Sequence, residues 1–204
     1  MALRGLSGVS LREINEAAGL RNVSAAHYHF GSREGVVAAI LSHRVPAIQE
    51  RRKAFVNALG ADGKAAELRE LVGALVWPLV EEIRPRAEGS HYLRFLEQIR
   101  RERPDSPMLN LEEITLTWPP ITAQLRAELN HLPTPIAEVR LRLEYAHMVA
   151  GLASIETWIE QGELSAADLD LAAEVLIDGV AHAISGPASR ATLRRMRSLD
   201  HPTP

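Results

Sequence analysis

Residues 10–20, Ser10-Leu11-Arg12-Glu13-Ile14-Asn15-Glu16-Ala17-Ala18-Gly19-Leu20, and residues 24–35, Ser24-Ala25-Ala26-His27-Tyr28-His29-Phe30-Gly31-Ser32-Arg33-Glu34-Gly35, decide the reading of this chain. Ser10 and Glu13 form a capping box: the serine hydroxyl suits the amide of Glu13, and the glutamate reaches back to that of Ser10. The helix this opens turns Leu11, Ile14, Ala17 and Ala18 to one side, and Gly19 ends it in a left-handed conformation. A second helix starts at once, with Asn22 or Ser24 as its cap and Val23, Ala26 and Phe30 as its buried stripe. Two short helices, a tight turn and small residues at the crossing are what a helix-turn-helix requires.

The charge distribution agrees. The net charge of −3 argues against a polyanionic partner until it is divided along the chain. Residues 1–53 hold eight Arg and Lys against four Glu, a balance of +4 that leaves −7 on the rest. With 46% hydrophobic and 24% charged residues, the 204-residue chain has the composition of a folded protein. No stretch approaches the roughly 20 apolar residues that span a bilayer, so no membrane partner is expected. The N-terminus lacks the apolar run of a secretion signal, and a cytoplasmic location is expected. The absence of cysteine excludes disulfides, thiolate metal sites and cysteine nucleophiles.

Outward from the two short helices, apolar residues recur at three- and four-residue steps with no sustained alternation, which predicts an all-α chain. Helices are expected near 10–18, 23–30, 33–58, 64–84, 90–102, 108–130, 135–161 and 166–184. Pro46, Pro78 and the pair Pro119–Pro120 should kink or split three of them. The organisation is then a DNA-binding head over 1–45, a helical body over 46–184 and a loose basic tail over 185–204.

Together the two quoted stretches resemble the DNA-binding signature of TetR-type transcriptional repressors. The most specific part is Tyr28-His29-Phe30 followed by Gly31-Ser32-Arg33-Glu34, and the likeness covers about residues 9–42. The resemblance implies a supporting helix over 10–18 and a recognition helix over 22–30. Ser24, Ala25, His27 and Tyr28 then face the major groove or its phosphate walls, and Arg33 meets the backbone. Asn22, Ser24 and His27 can hydrogen-bond base edges, and Ala25 can touch a thymine methyl. Three features depart from the family pattern. Nine residues precede Ser10, so the family's first helix is expected to be truncated, with Ala2–Leu6 as its last turn at most. Asn15 stands where alanine is usual, and Leu20-Arg21-Asn22 lengthens the turn by one residue.

In the body, Leu141, Tyr145, Met148, Leu152, Ile155 and Ile159 recur at alternating four- and three-residue steps, as do Leu169, Ala173, Leu176, Val180 and Ala183. Gly151, Ala153, Gly179 and Ala181 flank these seams and permit close approach. Each stripe reads either as intramolecular core or as a partner surface. The resemblance implies the second, a four-helix-bundle homodimer with Leu141, Tyr145, Leu152, Ile155, Leu176 and Val180 at the interface. It also implies a small-molecule effector pocket among Trp77, Tyr92, Phe95, Met108, Trp118 and Met148, although bulky stripes are more often core.

Other chemistry is weakly represented. Glu128/His131 and Glu144/His147 have the spacing of paired bundle ligands, but around the Leu132–Pro135 turn they are staggered by about 15 Å, too far for one metal. Asp178 and His182 are one turn apart and read as a surface pair. No catalytic residue, cofactor or metal is expected. The sequence therefore points to a ligand-responsive repressor of palindromic operator DNA that acts as a homodimer. The alternatives are a dimeric small-molecule binder of the same fold with impaired DNA binding and, more remotely, a helical-bundle enzyme.

Overall fold

A computed structural model describes residues 1–17, 19, 25–59, 66–84, 91–102 and 119–200. These form α1 (Leu11–Ala17), α2 (Ala25–Phe30), α3 (Arg33–Leu59), α4 (Leu68–Ile83), α5 (Tyr92–Glu102), α6 (Pro119–Glu128), α7 (Thr134–Gln161), α8 (Leu169–Ser185) and α9 (Arg190–Asp200), with a 3-10 turn at Ala166–Asp168 before α8. The described residues contain no strand, and the protein is all-α there.

The hub is α4. Glu67 and Glu70 cap its start reciprocally, the amide of Glu67 donating to the Glu70 carboxylate at 2.8 Å. Its Leu71, Val72, Ala74, Leu75, Val76, Leu79, Val80 and Ile83 are all buried, on every side of the helix. A helix apolar all round must be enclosed, and α3, α5, α6, α7 and α8 all touch it. Beside it, α5 and α8 both pack on α7. Pro46 and Pro78 lie inside α3 and α4 without splitting either, because a proline removes one ladder bond and packing holds the flanking turns. The described part of α6 starts at Pro119, and the residues before it lie outside the described residues, so the break expected at Pro119–Pro120 falls at their border. Residues 108–118 of the helix expected over 108–130 lie outside the described residues, and 129–130 form a turn after α6.

The head is built from α1, α2 and the start of α3. The capping box is present, with Glu13 N donating to Ser10 Oγ at 3.2 Å and Ser10 N donating to Glu13 Oε2 at 2.7 Å. Gly19 closes α1 with φ +65°, its amide on the Glu16 carbonyl at 3.1 Å. Gly31 turns the chain from α2 to α3 with φ +67°, a conformation that a side chain disfavours. The Ser32 hydroxyl then accepts from Gly35 N at 3.1 Å and caps α3. The apolar stripe expected on α1 is only partly covered: Leu11 and Ile14 are half-buried, Ala17 is exposed, and Asn15 is the buried residue of the helix. A seven-residue helix crossing a six-residue one covers too little area to exclude water.

Residues 190–200, expected as part of a loose tail, are helical. Ser189 caps them, its hydroxyl accepting from Thr192 N at 3.1 Å, and no proline interrupts the segment.

Two carboxylates tie α5 into place. Glu156 of α7, buried at 3% exposure, accepts from the amides of Leu93 and Arg94 at 3.2 and 3.0 Å and so caps the start of α5. Glu102, at the other end, accepts from the amides of Leu6 and Ser7 at 3.0 and 3.2 Å and anchors the N-terminal segment. Burial raises the Glu156 pKa above its ordinary 4.5, against the opposing hydrogen bonds from Arg94 and Leu93. The folded state then holds this proton more tightly than the unfolded state, so the group's contribution to stability falls as pH rises above about 4.5. Glu156→Gln keeps an acceptor without the charge, and urea titrations across pH 4 to 7 should show that decline in the parent protein and its absence in the variant.

Candidate functional site

Six residues, Ala-Ala-His-Tyr-His-Phe, make α2, and its His27, Tyr28, His29 and Phe30 are all exposed. Tyr28 is 85% exposed, and the edge of its ring meets His29 with centroids 5.4 Å apart. An aromatic side chain so open gives the fold little burial energy. Arg33, exposed at the start of α3, follows directly after the Gly31–Ser32 turn. Imidazole, phenol and guanidinium groups together can donate to phosphate oxygens or base edges. His27 and Tyr28 are thus exposed on α2 and Arg33 at the start of α3, on either side of the Gly31–Ser32 turn. Asn22 and Ser24 lie outside the described residues, as does the side chain of Ala25. His29 is an addition that the sequence reading passed over; its position between two expected surface residues was the available signal. Phe30, expected as core, is 38% exposed and forms part of a cavity wall. It ends a short helix, beyond which the chain turns away at Gly31.

The basic excess of the head is distributed differently from the simple balance. Arg4 pairs with Glu13 at 2.8 Å and Arg12 with Glu16 at 3.0 Å, all within the head. Arg44 and Arg51 both turn to Glu82 of α4, at 2.8 and 2.7 Å, and that carboxylate is 2% exposed. Arg52 is fully buried, bonded to the Ala74 carbonyl at 3.4 Å and to Gln49 at 3.1 Å, and burial lowers its pKa to about 10. Three of the arginines counted toward a DNA-facing surface therefore serve the junction between α3 and α4.

The residues expected to form one effector pocket are divided. Tyr92 and Phe95 line a cavity between α3 and α5, whereas Met148 borders a separate void of about 20 Å³ enclosed by α4, α6, α7 and α8. Trp77 is half-buried beside Gly73 and lines neither cavity. Met108 and Trp118 lie outside the described residues.

The expected dimer interface is redistributed as well. Tyr145, Leu152, Ile155 and Val180 are buried within the single chain, and Leu141 and Leu176 are half-buried against its core. Leu176 sits over Gly151, where an added Cβ would lie 2.7 Å from the Leu176 side chain. The seams thus pack α7 and α8 onto their own neighbours, the intramolecular alternative. What these helices leave open is another face: Val139, Leu143 and Trp158 on α7, and Leu171 and Val175 on α8, at 45 to 66% exposure.

The two Glu/His pairs are local contacts. His131 Nδ1 lies 3.1 Å from the Glu128 carbonyl oxygen, and His147 Nδ1 lies 3.2 Å from Glu144. Asp178 and His182 do not pair through their side chains: His182 Nδ1 lies 2.7 Å from the Asp178 carbonyl oxygen, and the Asp178 carboxylate takes Arg69 at 2.7 Å. Among the described residues, no three His, Asp or Glu side chains are grouped to hold a metal ion. No helix there is long and apolar enough to cross a membrane. No family model and no curated protein sequence matches the chain.

The capping box also has an electrostatic signature. The Ser10 amide, then its hydroxyl and then Arg4 hold the Glu13 carboxyl down at about 2. A depressed pKa contributes stability that is present above about 4.5 and lost as pH falls through about 2. Ser10→Ala removes one donor, and NMR titration of the Glu13 carboxyl should show its midpoint moving upward.

Proposed function

We propose that the protein is a cytoplasmic, ligand-responsive transcriptional repressor of the TetR type, binding palindromic operator DNA as a homodimer. The observation that carries this reading is the exposure of His27, Tyr28 and His29 on the short helix α2, with Arg33 exposed at the start of α3 just beyond the Gly31–Ser32 turn. In the complex, α2 enters the major groove, Tyr28 and Arg33 meet phosphates, and His27 reaches base edges. A second copy covers the open apolar face of Val139, Leu143, Trp158, Leu171 and Val175. Two-fold symmetry then sets two copies of α2 one DNA turn, about 34 Å, apart. A small molecule that favours a conformer with the wrong spacing shifts the population off DNA. No catalytic step is part of this reading.

One observation favours a second reading, a dimeric small-molecule binder with impaired DNA binding. With Arg44, Arg51 and Arg52 engaged at the junction, little cationic surface is left beside α2. The two readings separate in a mobility-shift assay with the DNA upstream of the gene. The repressor reading expects a shift that weakens as salt rises, because phosphate contacts release counterions. His27→Ala and Tyr28→Ala should each weaken it about tenfold, or about 1.4 kcal/mol, with an unchanged melting temperature. Absence of any shift selects the second reading.

The dimer is tested separately. Sedimentation of the Leu143→Asp/Val175→Asp variant should give a monomer with native helix content, since both positions are open in the single chain. A parent protein that sediments as a monomer removes the dimer from both readings.

A further inference from the structure

Between the head and α5 lies a cavity of about 600 Å³, within the range that holds small organic ligands. It is bounded by Phe30 at the end of α2, Ile40 and Arg44 of α3, and His91, Tyr92 and Phe95 at the start of α5. Most of this wall is apolar. The Tyr92 and Phe95 rings lie 6.3 Å apart, tilted by 33°, and as buried core side chains they form the apolar floor of the cavity.

The polar end is cationic. Arg44 holds its guanidinium carbon 5.9 Å from the centre of the Tyr92 ring. Its partner Glu82 divides its two oxygens between Arg44 and Arg51, so one carboxylate answers two guanidiniums. Arg44, which lines the cavity and keeps about a third of its side chain exposed, thus shares its carboxylate partner with a second guanidinium. A neutral apolar occupant would strip water from Arg44 without replacing it, whereas an anion restores what is lost.

The geometry points to a binding site for a small aromatic carboxylate in this cavity, its ring system among Phe30, Ile40, Tyr92 and Phe95 and its carboxylate on Arg44. The site is separate from the void beside Met148 inside the body. Phe30 ends α2, so an occupant bears directly on that helix; this consequence alone rests on the repressor reading, and binding does not.

The test is calorimetric titration of the 204-residue chain, without DNA, using 2-naphthoate and its neutral counterpart 2-naphthamide. The carboxylate should bind at least about tenfold more tightly than the amide. Arg44→Gln should remove that preference while leaving the amide's affinity unchanged. Ala39 also lines the cavity, and Ala39→Phe, which fills it and touches no ion pair, should abolish binding of both probes at an unchanged melting temperature. Equal affinity for the two probes overturns the proposal. So does binding that survives Ala39→Phe, or no binding of 2-naphthoate at all. If Arg44→Gln fails to fold, the comparison of probes and Ala39→Phe decide. A protein that shifts no DNA can still pass this test, and one that shifts DNA can fail it.

Discussion

A helix whose middle is apolar and buried on every side constrains the whole arrangement. The α4 segment Leu71–Ile83 is so uniformly apolar that any surface left uncovered would face water at a cost of about 25 cal/mol per Å². Enclosure by α3, α5, α6, α7 and α8 is the consequence. Two carboxylates near the end of α4 interrupt the apolar run: Glu81, partly exposed and paired with Arg84 at 2.7 Å, and Glu82, which is buried. Its two bonds to Arg44 and Arg51, seven residues apart on α3, set the register between the helix that leads out of the head and the hub of the body. Burying that carboxylate without both partners would be expensive, so the pairing restricts α3 to few positions on α4.

Much of this was legible in the sequence, for local reasons. Helix periodicity identified every helix down to α8, and residue-level chemistry marked the ends: the Ser10/Glu13 box, Gly19 after α1, and Pro135 in the first turn of α7. The seam from Leu141 to Ile155 was equally visible, yet periodicity says that a stripe is covered without saying by what. Tyr145 and Leu152 meet their own chain because α4, α5 and α8 reach them first. The open face of α7 mixes Val139, Leu143 and Trp158 with Arg142 and His147, and this dilution hid it. The helix over 190–200 was missed because prolines on both sides outweighed a clean interior capped by Ser189.

Counting charges along the chain proved a poor guide to the surface. The excess of +4 over residues 1–53 is real, but charge is spent where partners are within reach. Arg44, Arg51 and Arg52 are held at the junction, and Arg4 and Arg12 are answered within the head. Among the described residues, the surface around α2 therefore presents rings and imidazoles with Arg33 just beyond the Gly31–Ser32 turn. Under the proposed function, contacts of that kind would favour shape and hydrogen bonding over long-range attraction, placing discrimination ahead of speed of encounter.

The exposure of α2 also bears on how such a chain diverges. Substitutions at open surface positions usually change stability by less than about 0.5 kcal/mol, and His27, Tyr28 and His29 are all such positions. Drift at these three residues costs the fold little, so under the proposed function it is selection for the DNA target that would hold them. Under the proposed function, a duplicated copy could change its target sequence without passing through a destabilised intermediate, whereas the Arg44–Glu82–Arg51 junction allows no comparable freedom.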